Sequence, residues 1–228
     1  MASSDFVVAA RAAAQAMREV FPPTPLLRND HLSERFEADI WLKREDLSPV
    51  RSYKLRGAFN AMRKVIPGHA LFVCASAGNH AQGVAFMCRH FGVQGVIFMP
   101  VTTPQQKIQK TKMFGGPHVE VRLVGDYFDQ TLKQAQHFCA DRDGHFLSPF
   151  DDEDVIEGQA SVAVEIEEQL GQVPDRIILP VGGGGLSAGT YSYFGLRCTY
   201  TFVEPNGAKS LAAALEELKG LPQDASQA

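Results

Sequence analysis

Short apolar segments alternate with amphipathic segments along most of this chain. The apolar segments carry nearly continuous runs of Ile, Val, Leu and Phe, which are typical of strands buried on both faces. We predict strands at 40–42, 71–74, 96–99, 119–124 and 176–181. We predict helices at 4–19, 55–65, 79–91, 104–114, after a capping Asp126, at 153–170 and at 208–219. Repeated strand–helix–strand order predicts an α/β fold of open, mostly parallel sheets with helices on both faces.

Composition narrows the class of protein. A chain of 228 residues forms one large or two small domains, and an apolar fraction of 45% is enough for a core. The net charge of −4 and the lack of a basic stripe argue against nucleic acid and anionic lipid as partners. The apolar runs are too short to span a membrane, and Asp5, Arg11 and Arg18 interrupt any signal-peptide pattern at the start.

Cysteine and histidine spacing gives no sign of a metal site. The four cysteines form no Cys-x-x-Cys pair, so we expect buried, reduced thiols and a cytoplasmic protein. Histidines 69, 90, 118, 137 and 145 have no partner at metal-ligand spacing. We therefore predict that the protein binds no metal.

Two unusual loops each follow a predicted strand and precede a helix, the position where parallel-sheet proteins bind ligands. The second contains four consecutive glycines, Gly182–Gly185. Backbone without Cβ atoms can approach a ligand closely, and its N–H groups at a helix start can converge on a phosphate. A flexible turn is the alternative. A dinucleotide site is another, because Glu204 lies about 20 residues after Gly183.

The first loop is Ser76-Ala77-Gly78-Asn79-His80. Asn79 could donate a hydrogen bond to a ring oxygen, while Ser76, His80 and backbone N–H groups could hold a carboxylate. The alternative is that Ser76 or Asn79 merely caps the following helix.

Lys54 is the strongest candidate for a reactive side chain. An amine attacks a carbonyl only when it is deprotonated, so its pKa must be lowered by burial or by nearby cations. Arg51 and Arg56 are close in sequence, and Tyr53 offers a flat neighbour. A solvated basic turn is the alternative interpretation.

Several ordered motifs together resemble the fold type II pyridoxal-phosphate-dependent enzymes, and within them the threonine/serine dehydratases, also called threonine deaminases. The resemblance covers about residues 20–210. The motifs are Thr24-Pro25-Leu26, Leu42-Lys43-Arg44-Glu45-Asp46-Leu47, the Lys54 segment, Ser76 to Gly83, Pro149-Phe150-Asp151-Asp152, the glycine turn and Val203-Glu204-Pro205.

The resemblance implies a role for each motif. Lys54 is expected to be the catalytic lysine that binds pyridoxal 5′-phosphate as a Schiff base, with Tyr53 beside it. Asn79 is expected to bind the cofactor ring hydroxyl. The substrate carboxylate would be held by Ser76, Ala77, Gly78, Asn79 and His80, and the cofactor phosphate by Gly182, Gly183, Gly184, Gly185 and Leu186.

The reaction implied is α,β-elimination of L-threonine or L-serine to a 2-oxo acid and ammonia, as in isoleucine biosynthesis. Related serine racemases resemble the first loop but carry a serine at the position of Ala77. Alanine cannot transfer a proton, so the sequence favours a dehydratase over a racemase.

The resemblance also implies two α/β domains. Residues 1–50 and 151–228 would form the larger, phosphate-binding domain, and residues 51–150 the smaller domain inserted into it. The family chain continues past Val203-Glu204-Pro205, so the larger domain is expected to be incomplete and to lack the residue that contacts the pyridine nitrogen. A competing hypothesis is therefore a truncated relative that acts as a binding or assembly module. A homo-oligomer is compatible with either hypothesis.

Overall fold

The computed structural model describes residues 4–219, in which helices and strands alternate as the apolar pattern predicts. The helices are α1 (Ser4–Met17), α2 (Asp30–Phe36), α3 (Lys54–Val65), α4 (Asn79–Phe91), α5 (Gln105–Gly115), α6 (Phe128–Asp141), α7 (Glu153–Leu170), α8 (Gly185–Phe194) and α9 (Ser210–Lys219). The strands are β1 (Leu26–Arg28), β2 (Trp41–Lys43), β3 (Leu71–Ala75), β4 (Gln94–Met99), β5 (Val119–Leu123), β6 (His145–Phe146), β7 (Arg176–Pro180) and β8 (Thr199–Val203).

The strands form two parallel sheets and one antiparallel pair. A four-stranded sheet has the order β5-β4-β3-β6, with every neighbouring pair parallel. Strands β7 and β8 form a second parallel pair, in which Leu179 lies opposite Phe202. These sheets confirm the predicted α/β class. Strands β1 and β2 pair antiparallel, with Leu27 opposite Leu42.

Within residues 4–219, three buried clusters hold the helices against the sheets. The largest includes Leu55 of α3, Met87 of α4 and Phe72 and Ile97 of the four-stranded sheet. The second joins α1, α7 and α8 through small and aromatic side chains, including Tyr193. The third packs α6 on the other face of the four-stranded sheet, through side chains that include Ala135 and Phe98. All four cysteines are buried and free, which confirms the expectation of reduced core thiols.

Helix contacts around the predicted site are unusually close because glycines form them. A Cβ atom built on Gly83 would lie 3.1 Å from the carbonyl oxygen of Lys54, so α4 packs directly on the start of α3. A Cβ atom on Gly189 would lie 2.6 Å from the carbonyl oxygen of Ile156, so α8 packs even more closely on α7. Larger residues would push these helices apart.

Most predicted boundaries agree with the structure within a few residues, and one predicted cap is wrong. The residue before α6 is Tyr127, with no side-chain cap, and the backbone N–H of Asp126 instead donates to Gln130 Oε1 at 3.0 Å. By contrast, Asp152 does cap α7, accepting a hydrogen bond from the N–H of Val155 at 3.0 Å. The outermost parts of the predicted larger domain, 1–3 and 220–228, lie outside the described residues.

Over residues 4–219, no helix combines the length and the apolar character needed to cross a membrane.

Candidate active site

The segment from Leu147 to Phe150, here called the 147–150 segment, leads from β6 towards α7 and contacts three predicted motifs. The carbonyl oxygen of Leu147 lies 3.1 Å from His80 Nε2. The carbonyl oxygen of Pro149 accepts a hydrogen bond of 2.6 Å from Lys54 Nζ. The Phe150 ring packs on the glycine turn, where a Cβ atom built on Gly183 would lie 2.1 Å from Phe150 Cδ1. Three distant parts of the sequence therefore meet around four residues.

Lys54 is the first residue of α3 and is partly buried. Burial lowers the pKa of its amine to about 8. The amine also lies 5.4 Å from the centre of the Tyr53 ring. The lowered pKa therefore increases the deprotonated fraction of this amine near neutral pH, and only the deprotonated amine attacks a carbonyl.

The two arginines that flank Lys54 differ completely in their surroundings. Arg51 is exposed and has a φ of +61°. Arg56 is fully buried and pairs with Glu45 and Glu165. Because two carboxylates compensate the Arg56 guanidinium, burial is the cause of the lowered Lys54 pKa. The alternative of a solvated basic turn fits Arg51 and is wrong for Arg56.

The buried ion network around Arg56 joins α3 to α7 and to residues 24–45, which precede α3 in the sequence. The Arg56 guanidinium donates to Glu45 Oε2 at 2.8 Å and to Glu165 Oε1 at 2.6 Å. Lys43 Nζ donates to Glu165 Oε2 at 2.6 Å and to the carbonyl oxygen of Thr24 at 2.6 Å. Each buried charge therefore has an opposite charge and further hydrogen bonds, as a buried ion network requires.

The loop before α4 leaves backbone N–H groups free for an anion. Gly78 precedes the helix, and no side chain caps it, so the alternative that Asn79 acts as a cap is wrong. Ser76 Oγ instead accepts a hydrogen bond from the N–H of Gly78 at 3.2 Å and shapes the loop. The uncapped N–H groups at the start of a helix attract a carboxylate.

His80 is buried beneath this loop. Its Nε2 faces the Leu147 carbonyl, and its Nδ1 has no partner among the described residues. Burial, with a further contribution from the nearby Lys54 charge, lowers the pKa of His80 to about 4. The ring is therefore neutral at physiological pH, when Nε2 donates to Leu147 and Nδ1 remains available as an acceptor.

Asn79 is exposed and lines a cavity of ≈ 550 Å³ together with Gln82, Arg51 and Lys107. Lys54 does not line this cavity. No hydrogen bond joins Asn79 to Lys54 in the described part of the chain. The predicted bond from Asn79 to the cofactor ring therefore remains a prediction.

The glycine turn fits a phosphate group. Gly184 has a φ of +87°, in the left-handed region that favours glycine, and no side chain caps α8. Gly182 and Gly183 are exposed, whereas Gly185 is buried. The first N–H groups of α8 are thus available at an open surface, and the helix dipole favours an anion there.

Glu204 serves the backbone of α9. Its carboxylate accepts hydrogen bonds from the N–H groups of Leu211 at 2.7 Å and Ala212 at 3.0 Å. The Ser210 hydroxyl lies 3.1 Å from the same carboxylate. These bonds occupy the acidic group that a dinucleotide site would need for its ribose. Across residues 4–219, no group of three or more His, Cys, Asp or Glu side chains could hold a metal ion.

Sequence reasoning missed the role of the 147–150 segment and the acidic partners of Arg56. Pro149 and Phe150 lie in one of the motifs that carry the family resemblance, but the sequence predicted no role for either residue. Glu45 could have been found, because it lies in the Leu42–Leu47 motif, whereas Glu165 is distinguished only by its burial in α7.

The chain is similar to enzymes of one family. A family model described as pyridoxal-phosphate dependent enzyme matches residues 17–224. The biosynthetic L-threonine dehydratase of Bacillus subtilis is 47% identical over 201 residues, which are 86% of this chain and 48% of that protein. The chain spans about half the length of the curated relatives it matches.

Solved structures extend the likeness to the fold. The processed form of threonine deaminase isoform 2 from Solanum lycopersicum superposes with a TM-score of 0.84 at 36% identity, covering 94% of this chain and 60% of that chain. A pyridoxal 5′-phosphate-dependent aspartate racemase superposes with a TM-score of 0.85 at 26% identity, covering 95% of this chain and 68% of that chain.

Proposed function

Because this chain belongs to the pyridoxal-phosphate-dependent enzyme family, we propose that it carries the reactive lysine and the phosphate-binding turn of a threonine/serine ammonia-lyase. The reaction is the α,β-elimination of L-threonine or L-serine to a 2-oxo acid and ammonia. The relatives named as L-threonine dehydratase support this substrate class.

One observation carries the proposal. In the 147–150 segment, the carbonyl of Pro149 binds the Lys54 amine, and the ring of the next residue, Phe150, packs on the glycine turn. An aldehyde cofactor with a phosphate tail needs an amine and an anion site at a fixed separation. Two adjacent residues of one segment can maintain such a separation.

When bound, pyridoxal phosphate supplies an electron sink for the bonds of the substrate α-carbon. Lys54 would hold the cofactor and then, as a free amine of lowered pKa, accept the α-proton. The glycine turn Gly182–Leu186 would bind the phosphate through backbone N–H groups. The loop Ser76–His80 would bind the substrate carboxylate at the start of α4. Tyr53 would shield the amine from water, and Asn79 would donate to the cofactor ring.

The same loop favours elimination over racemisation. Both threonine deaminase and aspartate racemase structures share this fold, so the fold does not distinguish the two reactions. Ala77 lies in the loop and has no proton to donate. Proton transfer would thus be confined to the Lys54 side of the substrate.

We also propose the domain division made from the sequence. Residues 51–150 would form a smaller domain that contains the four-stranded parallel sheet, and residues 1–50 and 151–228 the larger one. The buried thiols suit a reducing compartment, so the proposed location is the cytoplasm.

The first test asks whether Lys54 binds the cofactor. The purified protein is incubated with pyridoxal phosphate and reduced with borohydride, and the labelled peptide is identified by mass spectrometry. The expected label lies on Lys54. Lys54→Ala should lose both the label and the yellow colour, while Lys64→Ala, on the same helix, should retain both. A label on other lysines alone would contradict the proposal.

The second test measures 2-oxobutyrate released from L-threonine. Release that disappears in Lys54→Ala supports the ammonia-lyase. Cofactor bound at Lys54 without any 2-oxo acid from threonine or serine would instead favour the binding-module hypothesis.

A further inference from the structure

Phe150 makes a selective contact with the glycine turn. A Cβ atom built on Gly183 would lie 2.1 Å from the Phe150 ring, and one on Gly185 would lie 3.2 Å from Phe150 Cα. A Cβ atom on Gly182 or Gly184 would meet nothing within 4 Å. The ring therefore occupies the space on one side of Gly183, and no side chain other than hydrogen fits there.

The other supports of the turn act on its carbonyl groups. Ser187 Oγ donates to the carbonyl oxygen of Gly184 at 3.0 Å, and Ser210 Oγ donates to that of Gly182 at 2.9 Å. Gly183 lies between these two anchored residues and is itself contacted by Phe150. Four glycines in a row lose much conformational entropy on ordering, so a contact that immobilises the middle of the turn has a large effect.

The position of Phe150 couples the turn to the reactive amine. The preceding residue, Pro149, accepts the hydrogen bond from Lys54 Nζ. A planar peptide bond joins the anchored carbonyl of Pro149 to Phe150, so the carbonyl and the ring belong to adjacent residues. The turn and the amine are therefore held by two neighbouring residues of one segment.

We propose that Phe150 is a positioning residue for the phosphate-binding turn. The Phe150 ring holds Gly183 at a set distance from Lys54, so that the turn is organised before a phosphate-bearing ligand arrives. Such preorganisation raises affinity by reducing the entropy lost on binding. The inference rests on the proposed function, because it assigns the turn to the phosphate of the same cofactor.

The contact predicts different responses to ligands with and without phosphate. In Phe150→Ala, the affinity for pyridoxal phosphate should fall about tenfold, the scale of one coupled contact. The affinity for pyridoxal, which lacks the phosphate, should change less than about twofold on the same reasoning. Phe150→Leu, which keeps an apolar group over Gly183, should recover most of the affinity. Phe128→Ala removes a ring of similar exposure, 41% against 38%, and is the control.

A double-mutant cycle tests the contact without any ligand. Gly183→Ala should lower the melting temperature of the unliganded protein, because its methyl group meets the Phe150 ring. In the Phe150→Ala background the same substitution should have a much smaller effect, since the ring is gone. Gly182→Ala has open space at its Cβ and should give equal shifts in both backgrounds.

The outcomes separate the inference from the proposed function. Equal losses of affinity for pyridoxal phosphate and pyridoxal in Phe150→Ala would overturn the inference. So would a gain of affinity, which would mean that the ring occupies the place of the ligand, or an additive melting cycle. Failure of the wild-type protein to bind pyridoxal phosphate at Lys54 would refute the proposed function. The melting cycle would then still decide whether Phe150 holds Gly183.

Discussion

Replacing Arg56 by methionine should destabilise the protein more than any exposed ion-pair substitution. Arg56 is fully buried and forms hydrogen bonds of 2.6–2.8 Å with Glu45 and Glu165. Methionine fills a similar volume but leaves both carboxylates without this partner. Breaking a buried ion pair from one side costs about 3–5 kcal/mol.

Two features place the expected loss at the lower end of that range. The Glu45 side chain is 15% exposed, and Glu165 keeps the Lys43 ammonium at 2.6 Å. We therefore expect a loss of about 3 kcal/mol in the free energy of unfolding. For a chain of this length, such a loss lowers the melting temperature by roughly 6–12 °C.

The loss should depend on pH through Glu165. Burial would raise the pKa of this carboxyl group, but the hydrogen bonds and charge of Arg56, together with Lys43, outweigh burial and lower the pKa. In the wild-type protein, Glu165 therefore contributes stability above the unfolded glutamate pKa of about 4.3, and that stability is lost as the pH falls through its folded value. In Arg56→Met, burial prevails over the remaining charge, so the folded protein takes up a proton at higher pH.

Urea unfolding, followed by circular dichroism at neutral and mildly acidic pH, measures both effects. The deficit of Arg56→Met relative to wild type should narrow as the pH falls. Arg44→Met removes an exposed pair with Asp46 and should show a much smaller change at both pH values. Arg56→Lys keeps the charge but loses the planar guanidinium, so its loss of stability should lie between those of Arg56→Met and Arg44→Met. A deficit no larger than that of Arg44→Met, or one that stays constant with pH, would refute the reasoning.

Three further predictions follow from burial and packing. The rate of Lys54 acetylation by an amine-selective reagent, followed by mass spectrometry, should rise through pH about 8, and a midpoint near 10.5 would contradict the burial argument. His80 should stay neutral in NMR titrations until the pH approaches about 4, because burial and the Lys54 charge oppose its protonation; a midpoint near 6.5 would show that the ring is solvated. Gly189→Ala should reduce stability by about 1–3 kcal/mol through overpacking against Ile156, whereas Gly68→Ala, with its nearest atom 3.7 Å away, should be tolerated; equal melting temperatures would argue against the close helix contact.

The fold class could be predicted because the parallel strands are buried and apolar along their length. In β3 and β4, nine of eleven residues are buried, and such runs are visible without knowledge of their partners. Strand β6 has two residues and β1 has three, and neither shows a run or an alternation. Short strands such as these are defined by the neighbour that pairs with them, so the sequence could not indicate them.

The candidate site shows the same limit at the level of single residues. Its motifs lie in short continuous segments, and each could be recognised locally from glycines, a polar loop or a lysine. What makes Lys54 chemically distinct is its burial against the carbonyl of Pro149, 95 residues away. Arg56 differs from Arg51 because Glu165 lies 109 residues further along and meets only one of them. Since burial and pairing decide whether a basic group is solvated, structural or reactive, the sequence could nominate the basic residues around Lys54, and only the tertiary contacts could distinguish their roles.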